Sequence, residues 1–429
     1  MELASMVTLE PADINFIDRA HGLGELIEKS APEIEKTKRL PADLLDGLHA
    51  SGLFRMLLPR VYGGYEVAPA MFAQTMNAIA QYDASTAWCV GQAAGCGMAA
   101  AYMDPVGAKA IWGDNPRGTV AWGPGKAKAV RDGDNFRLSG SWMFASGGRH
   151  AAYLGAHIPV TEENGELELK PDGKPHIRTF LFPAGDAPMK DIWDVVGLRG
   201  TASDAYTLEN HFIPKEFMCS RDYAPERVID TPLYQFSASN LYASGFCNVA
   251  QGVARTMLET LKGLATEKTP RQARQKLSDN QVLQTDIALC EARLRGARAF
   301  VLSELDDLWA STTATNNLSI EDRMRIRLCT THAIHEAKWV ADTVWDNAGA
   351  TAIFANAAYE RRFRDIHTVT QQMQGRKDHF QNVGAFMLGH PPAMASLWRH
   401  PSTEFIIECA KTTTAPNTRQ PAHSTGTLR

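Results

Sequence analysis

The feature that most constrains this chain is the set of long helical segments in its second half. Segments at about 240–268, 278–313, 320–348 and 377–398 place apolar residues at i, i+3 and i+4, as in Leu283, Ile287, Leu289, Leu294 and Phe300. Four such helices with short connections bury their stripes against one another, which predicts a four-helix bundle over 233–400. The tail at 401–429 is polar and rich in Thr and Pro, and is expected to be loosely ordered or draped on a neighbouring molecule.

Upstream the texture changes. Residues 116–232 read as strands and turns: Asp132-Gly133-Asp134 signals a hairpin, and Phe136, Leu138, Trp142 and Phe144 alternate along the strand after it. Thr179–Phe182 and Tyr206–Ile213 are further strands. Residues 1–115 read as helical. Apolar residues from Ala12 to Ser30 fall at helical spacing. Pro32, Pro41 and Pro69 each stand where a helix would open, a position that tolerates proline. Asp83–Met103, rich in Ala and Gly, predicts a tightly packed helix. Helical domain, β domain and bundle in that order give an α+β fold.

Composition removes several functions. The net charge is −4 with no basic block, so nothing points to nucleic acid. No stretch approaches the roughly 20 apolar residues of a membrane span. Seven scattered cysteines with no CxxC pair argue against zinc and fit a reducing compartment. The acidic N-terminal stretch does not resemble a signal peptide. The expectation is a cytoplasmic protein without metal. No GxGxxG follows a strand and no Walker string is present, so neither NAD nor ATP is bound by those routes.

Six strings, in order, resemble the acyl-CoA dehydrogenase family of flavoproteins. They are SGLFRMLLPRVYGGYE (51–66), DASTAWCVGQ (83–92), FRLSGSWMFASGGRHA (136–151), GLRGTASDAYTLENHFIP (197–214), LSDNQVLQ (277–284) and ERRFRDIH (360–367). The resemblance implies an N-terminal helical domain, a central β-barrel domain and a C-terminal four-helix bundle. Dehydrogenases of the family carry a carboxylate base after the "R-D" element. Here that stretch is HTVTQQMQGR (367–376), which has no Asp or Glu, and a glutamine amide cannot act as a base near neutrality.

ASTAWCVG and WMFASG more closely resemble the monooxygenases of the family that receive reduced FMN or FAD from a separate reductase. That resemblance implies a homotetramer in which oxygen adds to the flavin C4a carbon and the hydroperoxide transfers one oxygen atom to a small aromatic or heteroaromatic substrate. The protein must then hide the adduct from water. An acyl-CoA dehydrogenase, a flavin oxidase and a non-catalytic fold relative remain alternatives at this point.

Ser146 is implied near flavin N5, with a turn-capping serine as the plain reading. Gly147 follows it at the turn. Trp142 and Phe144 could wall the isoalloxazine or simply pack the strand. His150 and His367 are candidate acid–base groups, because imidazole titrates near neutrality. Arg271 and Arg274 could reach flavin phosphate through their planar forks, or be a solvated helix-end charge run. Trp88, Cys96, Gln371 and Gln372 are candidate substrate contacts. Cys96 and Gln372 stand where phenol-activating histidines are placed in the resembling hydroxylases, which favours a substrate that needs no deprotonation, such as an indole-like ring.

Overall fold

The structure is a computed structural model that describes residues 14–355 and 358–391. The expectations for the first 13 residues, for the end of the last bundle segment and for the 401–429 tail lie outside those residues.

Asn15 opens the first helix among the described residues, α1 (Phe16–Gly22), by accepting hydrogen bonds from the Ile17 and Asp18 amides on its side chain. After a break at Leu23 comes α2 (Gly24–Thr37). Pro32 lies inside α2, not at the start of a helix as its position suggested. Proline removes one backbone donor there. The buried stripe of Ile27, Ala31 and Ile34 continues across it, and burial of that stripe holds the helix together. The other two prolines sit as expected: Pro41 precedes α3 (Ala42–Ala50), and Pro69 is the first residue of α4 (Pro69–Ala80). Asp83 caps α5 (Ala84–Gly97), which is buried on nearly every side. Small residues permit this. A Cβ on Gly95 would stand 2.3 Å from the ring of Tyr242. A short α6 (Pro105–Ala108) ends the domain.

Seven strands follow: β1 (Val120–Trp122), β2 (Gly125–Asp132), β3 (Asn135–Ala145), β4 (Tyr153–Thr161), β5 (Ile177–Pro183), β6 (Asp204–Ile213) and β7 (Met218–Cys219). The expected hairpin joins β2 to β3, with Asp132 opposite Asn135 and Gly133 at positive φ. Strand order is β6-β3-β2-β4-β5-β7, and β1 pairs with β4. The ladder runs from β6 to β7 as a mixed sheet, in the place of the expected central β domain. Phe136, Trp142, Phe180, Phe182 and Tyr206 fill the inner face.

The bundle comprises α7 (Ala238–Glu267), α8 (Gln281–Thr315), α9 (Ile320–Ala348), α10 (Glu360–Val369) and α11 (Asp378–Met387). Capping boxes, Ser237 with Asn240 and Ser319 with Asp322, start α7 and α9. α7 packs against α9 on one side and α4 on the other, so it ties the two helical regions together. Among the described residues, no helix is long and apolar enough to cross a membrane.

Candidate active site

The site begins with an irregularity in β3. Its register with β6 slips between Trp142 and Ala145. A bulge of this kind re-aims a side chain. Phe144, within it, has φ +64° and turns outward, 43% exposed, against the edge of Trp193 at 5.8 Å. The expected alternation therefore fails at Phe144, which leaves the core that Phe136, Leu138 and Trp142 share. Trp142 is 1% exposed and stacked on Tyr206.

Past the bulge, Ser146 is buried and Gly147 takes φ +75°, its N–H donating to the Thr201 carbonyl at 2.9 Å. Facing them is the turn at Arg199–Thr201, bounded by Leu198 and Ala202, both non-glycine residues in the left-handed region. Such conformations cost on the order of 1–3 kcal/mol each and persist where surrounding structure enforces them. The enforcement comes from α10. Asp365 accepts the Leu198 N–H at 2.6 Å, and the Arg364 guanidinium donates to the Val196 carbonyl at 2.8 Å. Burial, with the nearby Asp83 charge, pushes the Asp365 carboxyl up to about 7.

The turn delivers two hydroxyls to Ser146. Ser146 Oγ lies 2.6 Å from Ser203 Oγ, and Ser203 Oγ lies 2.8 Å from Thr201 Oγ1. Thr201 Oγ1 donates to the Leu198 carbonyl at 2.8 Å. A hydroxyl has one proton, so the order is fixed from the far end. Thr201 spends its proton on Leu198, Ser203 donates to Thr201, and Ser146 donates to Ser203. Ser146 Oγ is left with lone pairs only.

Ser146 and Gly147 line a narrow crevice between the helical and β domains, together with His49, Cys89, Thr119 and His150. The Arg149–Asp204 ion pair, 2.6 Å with Asp204 fully buried, pins the turn that carries His150. The Leu40 N–H donates to His150 Nε2 at 2.8 Å, which places the proton on Nδ1. That buried Nδ1 has no hydrogen-bond partner among the described residues. Burial and the Arg39 and Arg149 charges hold the His150 pKa down to about 4. The ring is neutral and presents one unsatisfied donor. Among the described residues, no Asp or Glu lines the crevice.

The other candidates are placed elsewhere. His367 bonds the Phe363 carbonyl at 2.8 Å and Asp342 at 3.1 Å, so both ring nitrogens serve the bundle. Trp88 stacks on Phe246 at 3.8 Å, and Cys96 contacts Gln92 and the Tyr242 hydroxyl. Both face α7, while Cys89 and Ala93 are the α5 residues at the crevice. Burial pushes the Cys96 thiol up to about 12, so it is no nucleophile. Gln372 caps the turn at Gln374 through its side chain, and exposed Gln371 bonds Thr370. Arg271 and Arg274 are exposed in the connection between α7 and α8, away from acidic partners among the described residues. Sequence reasoning missed Ser203, Thr201 and His49. The string GLRGTASD contained the first two, but only the β3–β6 register shows that they meet Ser146.

A helical–sheet–helical chain with a hydroxyl-lined crevice between its layers defines a class. The chain belongs to the acyl-CoA dehydrogenase family: the family's N-terminal domain matches residues 23–106 and its C-terminal domain residues 244–375. It is 28% identical over 367 residues to an indole-3-acetate monooxygenase of Pseudomonas putida, covering 84% of this chain and 90% of that one. It is 26% identical over 404 residues to the oxygenase component of an FADH(2)-dependent resorcinol hydroxylase of a Rhizobium species, covering 88% and 95%. The fold matches the crystal structure of a 3-HSA hydroxylase from a Rhodococcus species with a TM-score of 0.80 at 22% identity, covering 88% of this chain and 98% of that one.

Proposed function

We propose that this chain is the oxygenase component of a two-component flavin-dependent monooxygenase acting on a small aromatic or heteroaromatic substrate. The observation that carries the reading is the Ser146 hydroxyl, held at a water-poor crevice with its proton directed away. Of the relatives, one is named as an indole-3-acetate monooxygenase and another as the oxygenase component of an FADH(2)-dependent resorcinol hydroxylase, which supports the reading.

The residues fit a reduced flavin. N5 of the reduced ring carries a proton, and Ser146 Oγ is built to accept one. The orphaned His150 Nδ1–H suits a flavin or substrate oxygen, since a buried unmade donor costs about 1–3 kcal/mol until a partner arrives. Phe144, expelled from the core beside Ser146, offers an apolar face for the ring. When bound, reduced FMN or FAD supplies the electrons that activate O2, one atom of which goes to substrate. The protein's tasks are to seat the ring, exclude water, accept a hydrogen bond at Ser146 and donate one from His150. Among the described residues no carboxylate lines the crevice, which argues against the base a dehydrogenase needs.

The finer proposals are a separate reductase, a cytoplasmic setting and a homotetramer. Free buried cysteines at all six described positions support a reducing compartment. Val282 and Leu289, 67% and 47% exposed on α8, support assembly through the bundle. Arg271 and Arg274, at the start of that face, are proposed to meet flavin phosphate there.

The test is rapid mixing of protein and reduced FMN or FAD with oxygenated buffer, with indoles and phenols as substrates. Hydroxylated product with one oxygen consumed per product is expected. Oxygen converted only to peroxide, with every substrate tried, would overturn the reading.

A further inference from the structure

A second cavity, a half-open cleft, lies away from Ser146. It is lined by residues of α1, α4, α7 and α8 and has a volume of about 520 Å³. This falls within the ~300–1,000 Å³ range of small-molecule sites. Its charges are unequal. Arg255 and Lys262 are matched by Glu259 and Glu291 in a closed ion-pair set. Arg298 and Arg295 also line the cavity, and among the described residues neither has a carboxylate within ion-pair distance. Arg298 is half-buried, and its one hydrogen bond among the described residues goes to the neutral Gln74 oxygen at 2.8 Å. Burial and the neighbouring Arg255 charge lower its pKa, so its charge is poorly compensated.

A second observation comes from α7. Its Gln251 is 3% exposed and lines the same cavity, and among the described residues its Nε2 has no hydrogen-bond partner. A buried amide donor left unmade is costly and asks for an acceptor. Arg298 and Gln251 are both donors. The cavity's remaining surface includes Leu294, Leu302 and Ile17, which are apolar.

We propose that this cavity is a binding site for a small organic anion, whose oxyanion head accepts hydrogen bonds from the Arg298 guanidinium and the Gln251 amide while an apolar body lies against Leu294 and Leu302. A carboxylate and a phosphate share this head-group chemistry. The site is independent of the crevice at Ser146, with which it shares no lining residue.

The test uses the full-length protein, titrated with sodium benzoate and separately with inorganic phosphate at constant ionic strength, followed by calorimetry and by Tm. Saturable binding of one or both is expected. Benzoate alone assigns a carboxylate with an apolar body. Phosphate binding at least as tight assigns a phosphate head. Arg298→Gln is expected to weaken binding about tenfold or more, because a charge-assisted bond is lost. Arg298→Lys keeps the charge and is expected to fall between, and Ser146→Ala is expected to bind the anion unchanged. Circular dichroism checks that each variant is folded. Absence of saturable binding by either anion, or undiminished binding in folded Arg298→Gln, overturns the proposal.

Discussion

Proton bookkeeping is what distinguishes Ser146 from an ordinary turn serine. Because Thr201 and Ser203 draw its hydrogen away, Ser146 can receive a hydrogen bond from a reduced flavin N5 but has none to give to an oxidised N5, which is itself an acceptor. Ser203→Ala releases that proton. It is expected to narrow the preference for reduced over oxidised flavin roughly fivefold, the size of one neutral hydrogen bond. Anaerobic fluorescence titration with both redox forms measures the ratio. An unchanged ratio in a variant that still takes up reduced flavin would show that the chain of hydroxyls does not set it. Ser146→Ala is expected to lower product formed per oxygen consumed, read by product analysis beside an oxygen electrode.

At the scale of elements, the chemistry depends on a loop that α10 holds. Asp365 and Arg364 grip Leu198 and Val196, and the gripped turn presents Ser203. Asp365→Ala strands the buried Leu198 N–H and is expected to cost about 1–3 kcal/mol in urea unfolding. Asp365→Asn keeps an acceptor and should recover most of it. The helices were legible because apolar spacing and first-turn prolines are local signals. Pro32 was misleading because tertiary burial, which no local window shows, carried α2 across it. The strand pattern was legible as far as Trp142. The slip that throws Phe144 outward is set by pairing with β6, about 60 residues away in sequence, and alternation alone cannot reveal it. Likewise Ser146 and His150 were visible as residue types at a turn, whereas Ser203 became visible only through strand register.

For the whole molecule, two opposing titrations shape stability. His49, His150 and His379 are each held to about 4, chiefly by burial. Their unfolded forms take up protons near 6.5, so the stability from keeping them neutral is present above that pH and is lost as pH falls from 6.5 toward 4. Each pKa unit is worth at most about 1.4 kcal/mol, less where solvent screens the ring. Asp365 acts the other way. Its carboxyl, raised to about 7 in the fold, ionises near 3.8 when unfolded, so its contribution declines as pH rises from about 4 to 7. Tm measured from pH 4 to 8 should therefore fall on the acid side. His150→Phe should make that fall shallower, and Asp365→Asn should make the climb between pH 5 and 7 steeper. A wild-type Tm that is flat from pH 6.5 to 4 would contradict the histidine assignment.

The spacing of α5 and α7 rests on one missing carbon. With no side chain at Gly95, the Tyr242 ring lies directly on the α5 backbone, and even a methyl group would wedge the two helices apart or swing the ring away. That spacing therefore cannot be widened by small steps, and it fixes the position of α5, whose Cys89 and Ala93 line the crevice. A lineage adapting this scaffold to bulkier or slimmer rings would have to remodel the residues on the other side of the crevice, where Leu40, Leu45 and His49 stand on and before a short, partly exposed helix.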